Sequence, residues 1–576
     1  MIASTRGSLS LGSKTSGILK AKYYVLTALC CLALASSLAF YVHLVTRQSQ
    51  MAPSEPFFDR LGSYSRKVTT RSALAQRYFD QGLAFLYGFN HDEAIRSFEA
   101  AAACDPQCAM AFWGIAMANG PHINRPSVSA SRDAAAWKAF LKAFDLLGDV
   151  GPVEQALIKS LQKRYGASVP ADRKPLDEAY AEAMRELWKT YPDDADVGAL
   201  TAEAILDLHP WNQWTRDGQP QPGTEEVIQT LEDVLAKCPK HPFALHLLIH
   251  ALEASPHPEK AAAAADILRD LLPGLGHIVH MPSHIDVRRG HWHEAVIANE
   301  KAIAADNSYQ RIVAPSGYYR TYMTHNHHML AFAAMMQGSR QKATITVHEM
   351  LDAFTDSYIA EHPELYESCS CIEYEIYMRF GRWDDMLAAK HPKESFHVST
   401  ALWHFGRGIA FAAKKQLRDA NEERRMFVAT MAMVPKDARF RKAAAANILS
   451  IADAMLAGEI AYREGEPEKA LTLLRDAVQH EDALRYAEPP YWLIPARHSL
   501  GATLMDAGRF HEAELVYRED LQHYPDNGWS LYGLARSLRL QHKEVEARAM
   551  SLRFTQAWRN ADMPLSSSCM CLPGKL

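Results

Sequence analysis

The stretch LAQRYFDQGLAFLYGFNHDEAIRSFEAAAACDP, residues 74–106, decides the fold. Tyr78, Gly82 and Phe85 lie on a first helix; Ala94, Phe98 and Ala101 lie on a second, which Asp105-Pro106 closes. The pattern returns at Leu500-Gly501, Gly508-Arg509-Phe510, Ala513, Tyr517 and Pro525. Between them the turn-plus-helix half recurs at Gly290-His291-Trp292 with Ala295 and Ala302, and at Gly338 with Ala343. It recurs again at Gly381-Arg382-Trp383 and at Gly465 with Ala470. Pro239 and Pro273 close two further units, and a last unit follows Asn527-Gly528-Trp529. One helix pair cannot bury its apolar face, whereas a stack of pairs buries a continuous core.

The spacing, about 34 residues with small and large side chains that let paired helices nest, resembles the tetratricopeptide repeat (TPR) superfamily, in a His-rich branch carrying His280-Met281-Pro282-Ser283-His284. The resemblance covers residues 72–560, with roughly nine or ten units. It implies an all-α, right-handed superhelix whose concave groove commonly binds peptides. Fold does not fix function. Residues 120–133, 209–223 and 306–323 break the period. Loops of that length are often functional, and their aromatic content argues against disorder.

Composition agrees with a large ordered helical protein. Of 576 residues, 48% are apolar and 22% charged, with only 29 Gly and 29 Pro, which excludes disordered and collagen-like chains. A net charge of −5 from 62 basic and 67 acidic residues offers no field for a polyanion, so nucleic acid is not an expected partner. Nine cysteines are too few for a disulfide scaffold. Cys369-Ser-Cys371 and Cys569-Met-Cys571 are Cys-x-Cys stretches of a kind that could bind a soft metal, but each stands alone.

Residues 1–22 form a basic N-terminal segment, and 23–46, YYVLTALCCLALASSLAFYVHLVT, contain no Lys, Arg, Asp or Glu. A helix of that length reaches about 36 Å, enough to cross a hydrocarbon core. Arg6, Lys14, Lys20 and Lys22 precede it, which by the positive-inside rule keeps the N-terminus cytoplasmic and the repeat domain on the non-cytoplasmic side. The expected protein is therefore single-pass, with a transmembrane anchor at 23–46, a linker at 47–71, the solenoid at 72–560 and a tail at 561–576. A cleaved signal peptide is the competing reading, from the small residues at 32–36.

Twelve of the 26 histidines fall within residues 241–328. With repeat units starting at Pro242, Gly276 and Thr324, the resemblance implies that first-helix positions 2, 5, 9 and 12 face the groove. These are His246, His250 and Glu253, then His277, His280 and His284, then His325 and His328. At 100° per residue His246, His250 and Glu253 share an arc of about 60°. Pro282 interrupts the second helix, which would then start near Met281 and leave His277 in the approach loop.

Imidazoles joined by a carboxylate are the ligand set of zinc, copper or iron. The spacing His-x3-His-x2-Glu lacks the Glu of the His-Glu-x-x-His zincins, so no protease mechanism carries over. Eight candidates exceed the needs of one ion. Two metals, or one with second-shell histidines and a base, both fit, with Glu253 or Glu203 as the base. An acidic or phosphorylated ligand would also suit the cluster. No glycine-rich phosphate loop, Gly-x-Ser-x-Gly elbow or Cys-x-x-Cys pair is present. The expectation is a membrane-anchored protein with a metal site in repeats 242–340, acting on a small molecule or peptide. The alternative is a non-catalytic scaffold holding a protein partner.

Overall fold

The computed structural model describes residues 55–168, 170–314 and 317–572, plus six exposed helical positions: Thr27, Leu32, Ala33, Leu34, Ser36 and Ser37. The rest of the expected anchor at 23–46, like residues 1–22, lies outside the described residues. Among the described residues no helix is long and apolar enough to cross a membrane.

The repeat reading is met by helices that pack mainly on their sequence neighbours. Ser72 caps Ala73–Tyr87 by accepting from the Ala75 N–H, and Asn90 caps His91–Cys104 in the same way through Glu93. Phe98 is fully buried between two glycines. A Cβ at Gly82 would lie 2.7 Å from its ring, and one at Gly114 2.6 Å. Tyr517 sits likewise between Gly501 and Gly533. These are the nested small and large residues expected from the sequence. Gly114→Val should destabilise the chain by about 3 kcal/mol in urea unfolding, because the buried ring has nowhere to move. An unchanged midpoint would contradict the nesting.

The turn glycines Gly290, Gly338, Gly381, Gly465 and Gly508 all take positive φ, the conformation that reverses the chain between helices at no steric cost. Two large apolar cores, one spanning residues 68–323 and one 287–572, overlap around residues 287–323. The only strands among the described residues are the hairpin Arg439–Phe440 and Ala443–Ala444.

Residues 55–71, within the expected linker, carry no helix and lie against the first repeats. Tyr64 Oη donates to Asp196 at 2.8 Å, and Arg66 pairs with Asp194 at 2.8 Å and Asp196 at 2.7 Å. The Tyr87 hydroxyl also donates to Asp196, and His241 Nε2 lies 3.2 Å from it. His241 also caps the helix Pro242–Leu252 through the Ala244 N–H.

The aperiodic stretch 306–323 is shorter than the sequence suggests. Trp292–Gln310 and Tyr319–Gln337 are helices, leaving 311–314 and 317–318 outside them among the described residues. Buried Asp306 joins them, accepting from Tyr319 Oη at 3.0 Å and Asn326 Nδ2 at 2.7 Å. At the other end of the chain, tail residues 561–572 pack onto the last repeats. Ser568 donates to the His498 carbonyl at 2.8 Å, and Cys569 and Cys571 are disulfide-bonded.

Candidate metal centre

The helix Pro242–Leu252 carries His246 and His250 one turn apart, with Glu253 as its C-cap residue in helical conformation. The next first helix is divided by Pro282 into Gly276–His280 and Pro282–Arg288, yet Met281 keeps αR angles between them. The path stays helical from Gly276, so His277, expected in the approach loop, lies inside it with His280 and His284. The third helix starts at Tyr319, five residues before the expected unit start at Thr324, and carries His325 and His328.

Six of the eight expected residues form two groups. His246, His250 and His277 make one triad and His280, His284 and His325 another, with the candidate ligand atoms of each group within 4.8 Å of one another. The triads are adjacent, with the His250 and His284 rings 6.0 Å apart and those of His277 and His280 5.9 Å apart.

Glu253 sits between the triads. Its Oε1 lies 2.7 Å from His250 Nδ1, and its Oε2 is hydrogen-bonded to His284 Nδ1. Burial would push the Glu253 carboxyl up, but the His284 and His250 imidazoles hold it down to about 2. His328 joins neither triad, and its Nε2 is buried without a partner. Glu203 lies elsewhere, where burial raises it to about 7 against the charge of Arg164.

The second nitrogens of four rings decide their tautomers. An ionised carboxylate, a carbonyl and an amide oxygen can only accept, so the ring nitrogen facing each must carry the hydrogen. Nδ1 therefore donates in His250 and His284 to Glu253, in His246 to the Tyr87 carbonyl at 2.8 Å, and in His280 to Asn299 Oδ1 at 2.6 Å. The neutral rings of His246, His250 and His280 then turn bare Nε2 lone pairs inward. His280 Nε2 lies 2.7 Å from His284 Nε2 and 3.1 Å from His325 Nε2, spacings that call for a proton or a cation between the nitrogens. In the first triad the Nε2 atoms of His246 and His250, and both nitrogens of His277, are buried without partners.

Burial pushes His246, His277, His280 and His325 well below their ordinary range and His250 below it, so these rings are neutral at pH 7. His284 is the exception. Burial would lower it too, but the charge and hydrogen bond of Glu253 hold it above its ordinary value.

The triads are interior, not open to a concave surface as the repeat register implies. His246 and His280 are fully buried; His325 alone among the six keeps partial exposure. Segments distant in sequence cover them. Phe89, itself at positive φ, packs 4.5 Å from the His246 ring, Trp211 lies 5.6 Å from His250, and Tyr322 4.3 Å from His277. A buried pair, His91 and His122, packs beside Phe89 with its rings 4.4 Å apart and tilted.

Sequence reasoning missed Asn299, Phe89, His91 and His122 around this centre. His122 and Tyr322 lie in two of the aperiodic stretches, which was a usable signal. A lone histidine such as His91 gave none.

No family model matches the chain, and no curated protein does. Among solved structures, the human IFIT1 dimer with PPP-AAAA is similar over 86% of this chain and 92% of its own, at 13% identity and TM-score 0.32. The APC/C hetero-tetramer Cut9-Hcn1 is similar over 85% and 76%, at 12% and 0.28. The P58(IPK) TPR domain is similar over 81% and 98%, at 13% and 0.19. The TPR-like helical repeat rests on the nested helix pairs of this chain itself.

Proposed function

We propose that this chain is a TPR-like scaffold built around a two-site transition-metal centre, with His246, His250 and His277 holding one ion and His280, His284 and His325 the other. The observation that carries it is the set of bare Nε2 atoms turned inward while their Nδ1–H groups are held by carboxylate, carbonyl and amide. Outer-shell acceptors orient metal-ligating histidines in this way. Imidazole-only sets suit zinc, copper or iron. Leaving so many buried nitrogens unpartnered would cost about 1–3 kcal/mol each, a cost that a bound ion removes. A three-histidine set also leaves coordination positions open to a small molecule or peptide. Glu253 acts here by orienting one imidazole of each triad.

Elemental analysis of the purified protein should find up to two zinc, copper or iron ions per chain. The double variant His250→Ala, His284→Ala should lose both while keeping its circular dichroism. His511→Ala, at an exposed position, should change nothing. Metal-free wild type that gains no thermal stability from any of the three metals would remove this reading.

A helical repeat of this kind also fits a protein-interaction scaffold. The specific place for a partner is a polar cleft of about 370 Å³ between the Gly290 turn and Arg553, Arg559 and Asn560. The charge asymmetry around residues 23–46 supports membrane anchoring with the repeats on the non-cytoplasmic side. A protease supplied to the cytoplasmic face of intact membranes should then leave the repeats uncut, and digestion from that face would exclude it.

A further inference from the structure

We infer that the cavity enclosed between the last repeats and the C-terminal tail is a site for a small monovalent anion, chloride, held by Arg379 and Trp492. The site shares no residue with the histidine triads.

The cavity measures about 30 Å³, room for one or two water-sized bodies. Its walls are mainly apolar, with Phe405, Ile409 and Leu474 from the repeats and Met570 from the tail. The tail is pinned over it, Ser568 donating to the His498 carbonyl at 2.8 Å and Arg463 donating to that of Cys571. Two polar side-chain atoms of the lining residues are buried without a partner, Arg379 Nε and Trp492 Nε1, and both are N–H donors. A water accepting from them would find few acceptors for its own hydrogens among apolar walls, whereas an anion only accepts.

Charge points the same way. Arg379 ends the helix Pro363–Arg379, is 2% exposed and pairs with no carboxylate among the described residues. Its Nη2 donates to His498 Nδ1 at 2.7 Å, so that imidazole is neutral and passes its Nε2–H to Asp520 Oδ2 at 2.9 Å. Asp520 thus stands one imidazole away, and the same oxygen also accepts from Ser530 Oγ and Asn527 Nδ2. The carboxylate of the cavity lining, Glu459, is paired with Arg463 at 2.9 Å. The Trp529 ring, 4.0 Å from the guanidinium, cushions the charge without neutralising it. Burial accordingly pushes Arg379 down to about 9, opposed by Asp520 alone. A buried cation lacking its own counter-charge is strongly unfavourable, and an anion in the adjoining cavity removes that penalty. Phosphate and sulfate exceed the space, which leaves a halide.

Thermal unfolding of the full chain in sodium chloride and in sodium gluconate at equal ionic strength tests the site, gluconate being too large to enter. Wild type should melt higher in chloride, with a shift that saturates as chloride rises. Arg379→Met keeps the bulk and removes the charge. It should lose the chloride shift and melt in both salts at least as high as wild type does in gluconate, since no buried charge is left to compensate. Trp492→Phe keeps a ring and removes one donor, and should weaken chloride about tenfold. Equal melting of wild type in the two salts overturns the proposal. So does a chloride shift that survives in Arg379→Met, which would place the ion elsewhere, a metal-bound position included. Should Arg379→Met fail to fold, wild-type chloride affinity in Trp492→Phe overturns it alone.

Discussion

Glu253→Ala should disable both histidine triads at once. One carboxylate takes the Nδ1–H of His250 with one oxygen and that of His284 with the other, so a single truncation releases a ring on each side. Loss of such an outer-shell acceptor typically lowers metal affinity roughly 10- to 100-fold, here at two sites together. Glu253→Gln should behave differently. Its amide offers one oxygen and one NH2, so it can still accept from one imidazole but must donate to the other. That second ring then carries its hydrogen on Nε2 and presents no lone pair inward. Metal content measured after dialysis should fall toward zero in Glu253→Ala and toward half in Glu253→Gln, with helicity retained in both. Equal and full occupancy in the two variants would show that Glu253 orients neither ring.

The buried histidines of the metal-free chain should cost it stability from about pH 6.5 downward. Burial holds His91, His122, His246, His277, His280 and His325 well below their ordinary range. In the unfolded chain the same rings take up protons near pH 6.5, so below that pH the unfolded state binds more protons and stability falls with pH. Three such groups alone amount to about 4 kcal/mol per pH unit. His284 works the other way. Its raised value gives stability that is complete below about pH 6.5 and is lost as pH rises through its folded value. Buried carboxyls work the same way as His284: Glu203, Asp306 and Glu488 are pushed up to about 7 and Glu481 to about 8, so the histidine share is read by difference. Glu253, held down to about 2, keeps its contacts throughout this window. In urea unfolding with a chelator, wild type should lose more stability than His277→Phe between pH 7.5 and 5.5, by about 1.4 kcal/mol. Equal losses would mean that the His277 ring is more solvated than its burial indicates.

The repeat register made much of this centre legible. Counting positions from Pro242 brought His246, His250 and Glu253 to one face, because helical angles are set locally and need no tertiary information. The second helix was harder. Pro282 suggested a break, but its missing N–H falls at the first position of Pro282–Arg288, where no helix bond is lost. The burial of the triads was not legible at all. It depends on Phe89, Trp211 and Tyr322 meeting histidines more than thirty residues away, and no short-range pattern encodes such contacts. The aperiodic stretches marked where those covering residues lie without showing what they cover. The role of Glu253 was likewise hidden, since only geometry shows both of its oxygens engaged by Nδ1 atoms.

Asp196 changes how the molecule comes apart. Arrays whose units touch only their neighbours fray from the ends, one unit at a time. Here a single buried carboxylate gathers Tyr64 and Arg66 from the leading segment, Tyr87 from the first helix and His241 from the start of the helix bearing His246. Residues 64 to 241 are therefore fastened at one point, and the first repeat cannot detach while the histidine-bearing helix stays in place. Opening of this half becomes one cooperative event, with amide protons of Ala73–Tyr87 and Pro242–Leu252 exchanging at a common free energy rather than on a gradient from the N-terminus.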